Sequence, residues 1–120
     1  MSLTLYHDVF RSESAHPQAL VVLHGWGLNA VVWDDIMPAL LKHFEVTVIE
    51  LPGFGRSPMP SGDYTLDYLV EHVLKVAPER AVWLGWSLGG VVATQIAAQF
   101  PMRVEALVTV ATNACFVANE

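Results

Sequence analysis

A serine between two glycines, in the segment Gly85-Trp86-Ser87-Leu88-Gly89, is the residue of this chain best suited to covalent chemistry. The pattern G-x-S-x-G is typical of a nucleophilic serine in a sharp turn from a strand to a helix. Side chains at Gly85 and Gly89 would clash where the strand and the helix approach each other closely. The alternative is that Ser87 only caps the helix. The agreement of glycines, strand and helix favours the nucleophile.

A nucleophilic serine needs a general base and preorganised donors for the oxyanion that it generates. One donor is expected to be the backbone N–H of Leu88, and the other the N–H of Trp26, in the loop after a strand that ends at Leu23. The Trp26 indole is large enough to line an acyl pocket, with core packing as the alternative. His24 lies in the same loop and is expected to brace the turn rather than act as a base.

The elements that position these residues follow from the apolar pattern. The continuous apolar run at 19–23 predicts a strand buried on both faces of a sheet, and the run that ends at Leu84 predicts a second buried strand over 81–84. Further strands are expected at 46–49 and 107–110, with a strand or hairpin arm within 3–10. Helices are expected at 29–42, 66–76 and 87–100, and Pro38 should kink or break the first of them. Thr65 is the expected cap of the second helix.

Strands that alternate with helices predict an α/β fold, a mostly parallel, doubly wound sheet with right-handed crossovers. Catalytic groups in such sheets lie at the carboxyl ends of the strands. Trp26 and Ser87 each follow a predicted strand, so we expect both at the same edge of the sheet.

Composition and net charge argue against several classes of protein and partner. The 120 residues suit one domain over 1–120, and 53% hydrophobic against 15% charged residues indicates a core-rich globular chain. The net charge of −6 argues against nucleic acid or an anionic membrane as a partner. One cysteine excludes an internal disulfide, and no signal peptide or membrane-length apolar run is apparent, so a cytoplasmic location is expected. The histidines lack ligand spacing, so no metal site is expected.

Residues 24–27, 51–57 and 85–90 carry motifs through which the chain resembles the α/β-hydrolase superfamily. More narrowly, it is similar to the pimeloyl-[acyl-carrier-protein] methyl ester carboxylesterases of bacterial biotin synthesis. The narrower match depends on the tryptophan-bearing segments 23–30 and 83–90, together with residues 106–111. The similarity extends over most of the chain.

The resemblance implies hydrolysis of the methyl ester of pimeloyl carried on acyl carrier protein, with no cofactor. Ser87 would attack the ester carbonyl, while Trp26 and Leu88 would hold the oxyanion and line the acyl site. A short-chain ester hydrolase or a carbon–carbon bond hydrolase on the same fold is one alternative. A non-enzymatic protein that binds an acyl group or another subunit is a second alternative.

The sequence departs from the superfamily pattern after the serine. The triad acid and histidine should follow Ser87, yet only Glu105 and Glu120 do so as possible acids, and no histidine does. The resemblance therefore implies the N-terminal half of a hydrolase, inactive or very weakly active alone, with the cap, the last strands and the other triad members beyond Glu120. An exposed last strand would favour self-association. Glu50 replaces an aspartate common in relatives, with little expected consequence.

Overall fold

Five strands form a single sheet in a computed structural model, which describes residues 4–25, 33–52, 57 and 65–110. The strands are β1 (His7–Phe10), β2 (Gln18–Leu23), β3 (Phe44–Ile49), β4 (Ala81–Trp86) and β5 (Val104–Val110). Their order across the sheet is β1-β3-β2-β4-β5, and only β1 is antiparallel to its neighbour. The mostly parallel α/β sheet predicted from the sequence is confirmed.

The central strands are buried on both faces of the sheet. In β2, Val21 and Leu23 pack into one core cluster, whereas Leu20 and Val22 pack into a second cluster on the other face. Successive side chains of a strand point to opposite faces, so a strand buried on both sides needs an unbroken apolar run. The apolar run at 19–23 therefore forms part of a strand that is buried on both faces, as the sequence predicted.

Two helices cover the face of Val21 and Leu23: α2 (Leu66–Val76) and α3 (Leu88–Gln99). The predicted cap of α2 is confirmed, since the Thr65 side chain accepts a hydrogen bond from the Tyr68 N–H at 3.1 Å. After α3, a short 3₁₀ turn (Pro101–Arg103) leads directly into β5. Within the described ranges, no helix is both long enough and apolar enough to cross a bilayer.

The segment around Pro38 differs from the prediction. Residues 29–32 lie outside the described residues, residues 33–36 form irregular turns, and the short helix α1 (Met37–Leu40) starts only at Met37. Pro38 lies in the first turn of α1, where a helix requires no N–H donor. Ile36 is 42% exposed, whereas Trp33 and Met37 pack into the core cluster that contains Leu20 and Val22.

The β5 side of the sheet is open. All residues of β5 from 105 to 110 are exposed, and Leu107, Val108 and Val110 are the large apolar ones among them. Within the described residues, β5 pairs only with β4 and so forms an edge of the sheet. Self-association through this edge stays a prediction.

Candidate active site

Ser87 occupies the single position between β4 and α3. Its φ is 55° and its ψ is −116°, and among the described residues it is the one non-glycine with a positive φ. Such a backbone costs roughly 1–3 kcal/mol and persists only where the surrounding structure enforces it. Here the Ser87 N–H donates to the Val110 carbonyl at 2.9 Å, and the Ser87 carbonyl accepts from the Val91 N–H at 3.1 Å. The side chain makes no capping hydrogen bond with α3, so the alternative of a simple helix cap is not realised.

The glycines around Ser87 allow backbone segments to approach each other, as the sequence predicted. A Cβ at Gly85 would lie 2.5 Å from the N and Cα of Gly90, in the first turn of α3. A Cβ at Gly89 would lie 2.6 Å from the carbonyl oxygen of His24 and in contact with the Leu23 carbonyl. Gly89 thus allows a close contact between α3 and the end of β2, which the motif alone does not predict.

This contact brings two predicted site segments together. Leu88, a buried residue, is the first residue of α3, and the first N–H groups of a helix have no acceptor within the helix. The positive end of the helix dipole therefore lies beside Ser87 and against the turn at His24 and Gly25. Trp26, the other predicted donor and pocket residue, lies outside the described residues.

His24 is fully buried in the turn after β2, and backbone groups contact both nitrogens of its ring. Its Nδ1 lies 2.8 Å from the Gly25 carbonyl oxygen, and its Nε2 lies 2.9 Å from the Leu51 backbone nitrogen. A carbonyl only accepts and an amide N–H only donates, so the ring is neutral with its proton on Nδ1. Burial lowers the pKa of His24, against smaller opposing effects of the Gly25 carbonyl and the negative charge of Glu50. This geometry supports the predicted brace rather than a base.

The segment after β3 adds a buried polar cluster that sequence reasoning underestimated. Glu50 is 1% exposed and interacts electrostatically with His24. Its N–H donates to the Tyr6 carbonyl at 2.9 Å, and its carbonyl accepts from the Ser57 hydroxyl. The same hydroxyl accepts from the Tyr6 N–H at 2.9 Å. A carboxylate directly after a buried strand was the available signal for Glu50, whereas nothing in the sequence singled out Ser57.

Two tryptophans pack together beside the serine. The rings of Trp33 and Trp86 meet edge to face, with centroids 6.4 Å apart and planes at 70°. Trp86 immediately precedes Ser87, so this pair supports the elbow from the face opposite α3. The sequence placed Trp86 in the motif but gave no sign of its partner.

Metal ligands are not grouped in the described ranges, where no three His, Cys, Asp or Glu side chains lie together as an ion requires. Two of the scattered histidines contact backbone instead: His7 through its Nδ1 at 3.0 Å from the Leu5 carbonyl, and His72 through its Nδ1 at 2.9 Å from the Tyr68 carbonyl.

Comparison with known sequences identifies a matching family and several relatives. Residues 18–120 match the family described as alpha/beta hydrolase fold. A protein of Citrobacter koseri is 57% identical over 101 residues, covering 84% of this chain and 39% of that protein. A protein of Edwardsiella ictaluri is 55% identical over 121 residues, covering 99% of this chain and 44% of that protein. Both are named pimeloyl-[acyl-carrier protein] methyl ester esterase, and the chain spans about two fifths of the length of these relatives.

Comparison with solved structures also finds enzymes that are similar to this chain. A hydrolase from Pseudomonas aeruginosa PA01 superimposes with a TM-score of 0.85 at 36% identity, covering 92% of this chain and 42% of that one. The enol-lactonase from Burkholderia xenovorans LB400 gives a TM-score of 0.77 at 28% identity, covering 86% and 41% respectively. With a family match over most of its length and the strand-turn-helix arrangement around Ser87, the chain belongs to the α/β-hydrolase fold family.

Proposed function

We propose that this chain carries the nucleophile of a serine carboxylesterase, and that Ser87 is that nucleophile. The observation that carries the proposal is the strained backbone of Ser87, held between closely packed glycines at the start of α3. A fold does not maintain such a conformation at a cost of roughly 1–3 kcal/mol without a reason, and strained residues cluster at active sites. The names of the relatives supply the reaction class.

In the proposed reaction, the Ser87 Oγ attacks the carbonyl carbon of the ester while a general base accepts the hydroxyl proton. The backbone N–H groups of Leu88 and Trp26 donate to the oxyanion of the tetrahedral intermediate. Collapse of the intermediate expels the alcohol, which takes up the proton, and leaves an acyl group on Ser87. Water then hydrolyses this acyl-enzyme through the same steps.

The general base of this reaction is not His24. Its Nε2 accepts from the Leu51 N–H and its Nδ1 proton is donated to the Gly25 carbonyl, so neither nitrogen is available to Ser87. The proposal therefore requires a base other than His24, and superfamily order favours a histidine that follows the serine in sequence.

For the substrate, we propose the methyl ester of a pimeloyl group on acyl carrier protein, as the relatives' names suggest. A lactone or a small free ester is the second candidate, favoured by the structural similarity to an enol-lactonase. The net charge of −6 leaves no general attraction for an acidic carrier, so carrier recognition would need a local basic surface.

The test is covalent labelling with a fluorophosphonate in the protein isolated from its source, followed by peptide mapping. We expect the label on Ser87, and Ser87→Ala should abolish labelling and lower kcat for ester hydrolysis by about 10⁴-fold or more. Ser14→Ala, which changes a half-buried serine of the loop before β2, is the control and should label normally. A label on another residue, or unchanged hydrolysis by Ser87→Ala, would exclude Ser87 as the nucleophile.

A substrate panel then separates the two candidates. The panel comprises methyl pimeloyl on acyl carrier protein, free dimethyl pimelate, an aryl acetate and an enol-lactone. A kcat/KM that is highest for the carrier-bound methyl ester supports the first candidate, and a preference for the lactone supports the second.

A further inference from the structure

A groove of about 440 Å³ lies between α2 and the end of α3. We call it the α2–α3 groove, and it is lined by Asp67, Val70, Glu71, Leu74, Gln99 and Phe100. An apolar cavity of about 150 Å³ holds one benzene molecule, so the groove has room for two or three large apolar side chains. Gln99 and Phe100 lie at the opposite end of α3 from Ser87, which places the groove about 18 Å from the nucleophile along the helix.

The floor and one wall of the groove are apolar. Val70 is 4% exposed and belongs to the core under α2, while Leu74, one helical turn further on, is half-buried against the same core. On the α3 side, Phe100 leaves 42% of its surface exposed. This lining offers apolar contact to the side chains of a ligand.

The rim of the groove is negatively charged. Asp67 and Glu71 are both exposed and lie four residues apart on α2, so their carboxylates are neighbours on one face of the helix. Lys75 pairs with Glu71 at 3.8 Å, but both side chains are about half exposed, and an ion pair of this kind contributes little. Two carboxylates thus face one ammonium group, and the rim keeps an attraction for further cations.

We propose that the α2–α3 groove binds a basic amphipathic helix of a partner protein. Apolar side chains of that helix, spaced three and four residues apart, enter the groove between Leu74 and Phe100. Lysine or arginine side chains at its flanks pair with Asp67 and Glu71. Cations four residues apart on the ligand helix have the same separation as these two carboxylates.

Charge argues against the other classes of occupant. An acidic carrier protein, a nucleic acid or an anionic membrane would place negative groups against the carboxylates of the rim. A second copy of this chain offers few free cations in the described ranges, because four of the five Lys and Arg side chains there already contact carboxylates or carbonyls: Arg11, Lys75, Arg80 and Arg103. The groove therefore fits a basic partner that is neither this chain nor the proposed carrier.

The test uses the protein isolated from its source and two synthetic helical peptides of about 14 residues. One peptide is built from leucine and lysine, with its leucines on one face, and the other has glutamate in place of each lysine. Fluorescence anisotropy of the labelled peptides gives the dissociation constants. We expect the lysine peptide to bind at least about tenfold more tightly than the glutamate peptide, and its binding to weaken as the salt concentration rises.

Two pairs of variants locate the binding site. Glu71→Lys reverses a charge on the rim, and Glu79→Lys makes the same change at an exposed residue that does not line the groove. Phe100→Ser removes the apolar wall, and Met102→Ser removes a side chain that is 78% exposed but does not line the groove. We expect Glu71→Lys and Phe100→Ser each to raise the dissociation constant of the lysine peptide about tenfold, and each control to change it by less than about threefold.

Equal effects of the Glu71 and Glu79 variants would overturn the proposal, because the attraction would then come from the net charge of the whole protein. Absence of binding by the lysine peptide, or equally tight binding of the glutamate peptide, would overturn it as well.

The bound lysine peptide should leave kcat and KM for an ester substrate unchanged, since the groove and Ser87 lie at opposite ends of α3. A peptide that competes with the ester occupies the active site instead, which contradicts the proposal. If Ser87 is not the nucleophile, the dissociation constants of the four variants still decide whether the groove binds a basic helix.

Discussion

The two turns that meet at the candidate site are fixed in different ways. The turn after β4 depends on close backbone packing, for which Gly85 and Gly89 leave room, and on the hydrogen bonds of the Ser87 backbone with Val110 and Val91. The turn after β2 is fixed by polar pairing, because the buried His24 ring bonds to the backbone at Gly25 and Leu51. The closely packed turn tolerates no Cβ atom at Gly85 or Gly89. The hydrogen-bonded turn instead requires the His24 ring and its two backbone partners.

The largest effect should come from breaking the closely packed turn. Gly89→Ala introduces a methyl group against the Leu23 and His24 carbonyls, and backbone atoms have little freedom to move away. We expect the free energy of unfolding to fall by about 3 kcal/mol, at the upper end for an overpacked site. Urea denaturation measures this change.

The control for this substitution is Gln99→Ala, at an exposed position of the same helix, which should change the stability by less than about 0.5 kcal/mol. A Gly89→Ala protein as stable as this control would show that α3 and β2 do not approach as closely as described.

A smaller effect should come from breaking the polar cluster behind the hydrogen-bonded turn. Ser57→Ala removes the hydroxyl that accepts from the Tyr6 N–H and donates to the Glu50 carbonyl, leaving both backbone groups without that partner. Unsatisfied buried groups cost about 1–3 kcal/mol, so we expect a loss of about 2 kcal/mol on thermal or urea unfolding.

Ser14→Ala provides the comparison, because the Ser14 hydroxyl accepts from the His16 N–H in an exposed loop where water can replace it. This variant should lose well under 1 kcal/mol. Equal losses in the two serine variants would mean that the cluster around Ser57 is open to water.

The smallest effect is a pH dependence of the hydrogen-bonded turn. Burial lowers the pKa of His24, so the unfolded chain binds a proton more readily than the folded protein does. The stabilisation due to the neutral ring is therefore complete above the unfolded pKa of about 6.5 and is lost as the pH falls towards the lowered folded value. Glu50 is the charged group that faces the ring, while β4 and the first turn of α3 bring none.

The measurement is the difference in unfolding free energy between the unmodified protein and His24→Asn, followed from about pH 7.5 to pH 5 by urea titration. We expect this difference to shrink below pH 6.5 with a slope of at most about 1.4 kcal/mol per pH unit. Two parallel pH profiles would mean that His24 keeps its ordinary pKa in the fold.

The same contrast explains what the sequence could predict. The elbow was predictable because its glycines are part of the motif, and the central strand β2 was predictable because burial on both faces requires an unbroken apolar run. The link between His24 and Leu51 was not, because it joins positions 27 apart that meet only when β2 and β3 pair. The helix predicted at 29–42 starts only at Met37 as α1. A proline breaks the interior of a helix but fits its first turn, and the sequence around Pro38 does not distinguish the two cases.

The order of strands also has a consequence for folding kinetics. Leu23 pairs with Gly85, so the two turns of the site come together only when β4 docks beside β2, across the whole intervening chain. Parallel pairing between distant strands is slow, because a long loop must close before its contacts form. A newly made chain therefore carries an ordinary, unstrained serine at position 87 until the sheet has closed around it. We therefore expect the positive φ of Ser87 to form only once β4 has paired with β2.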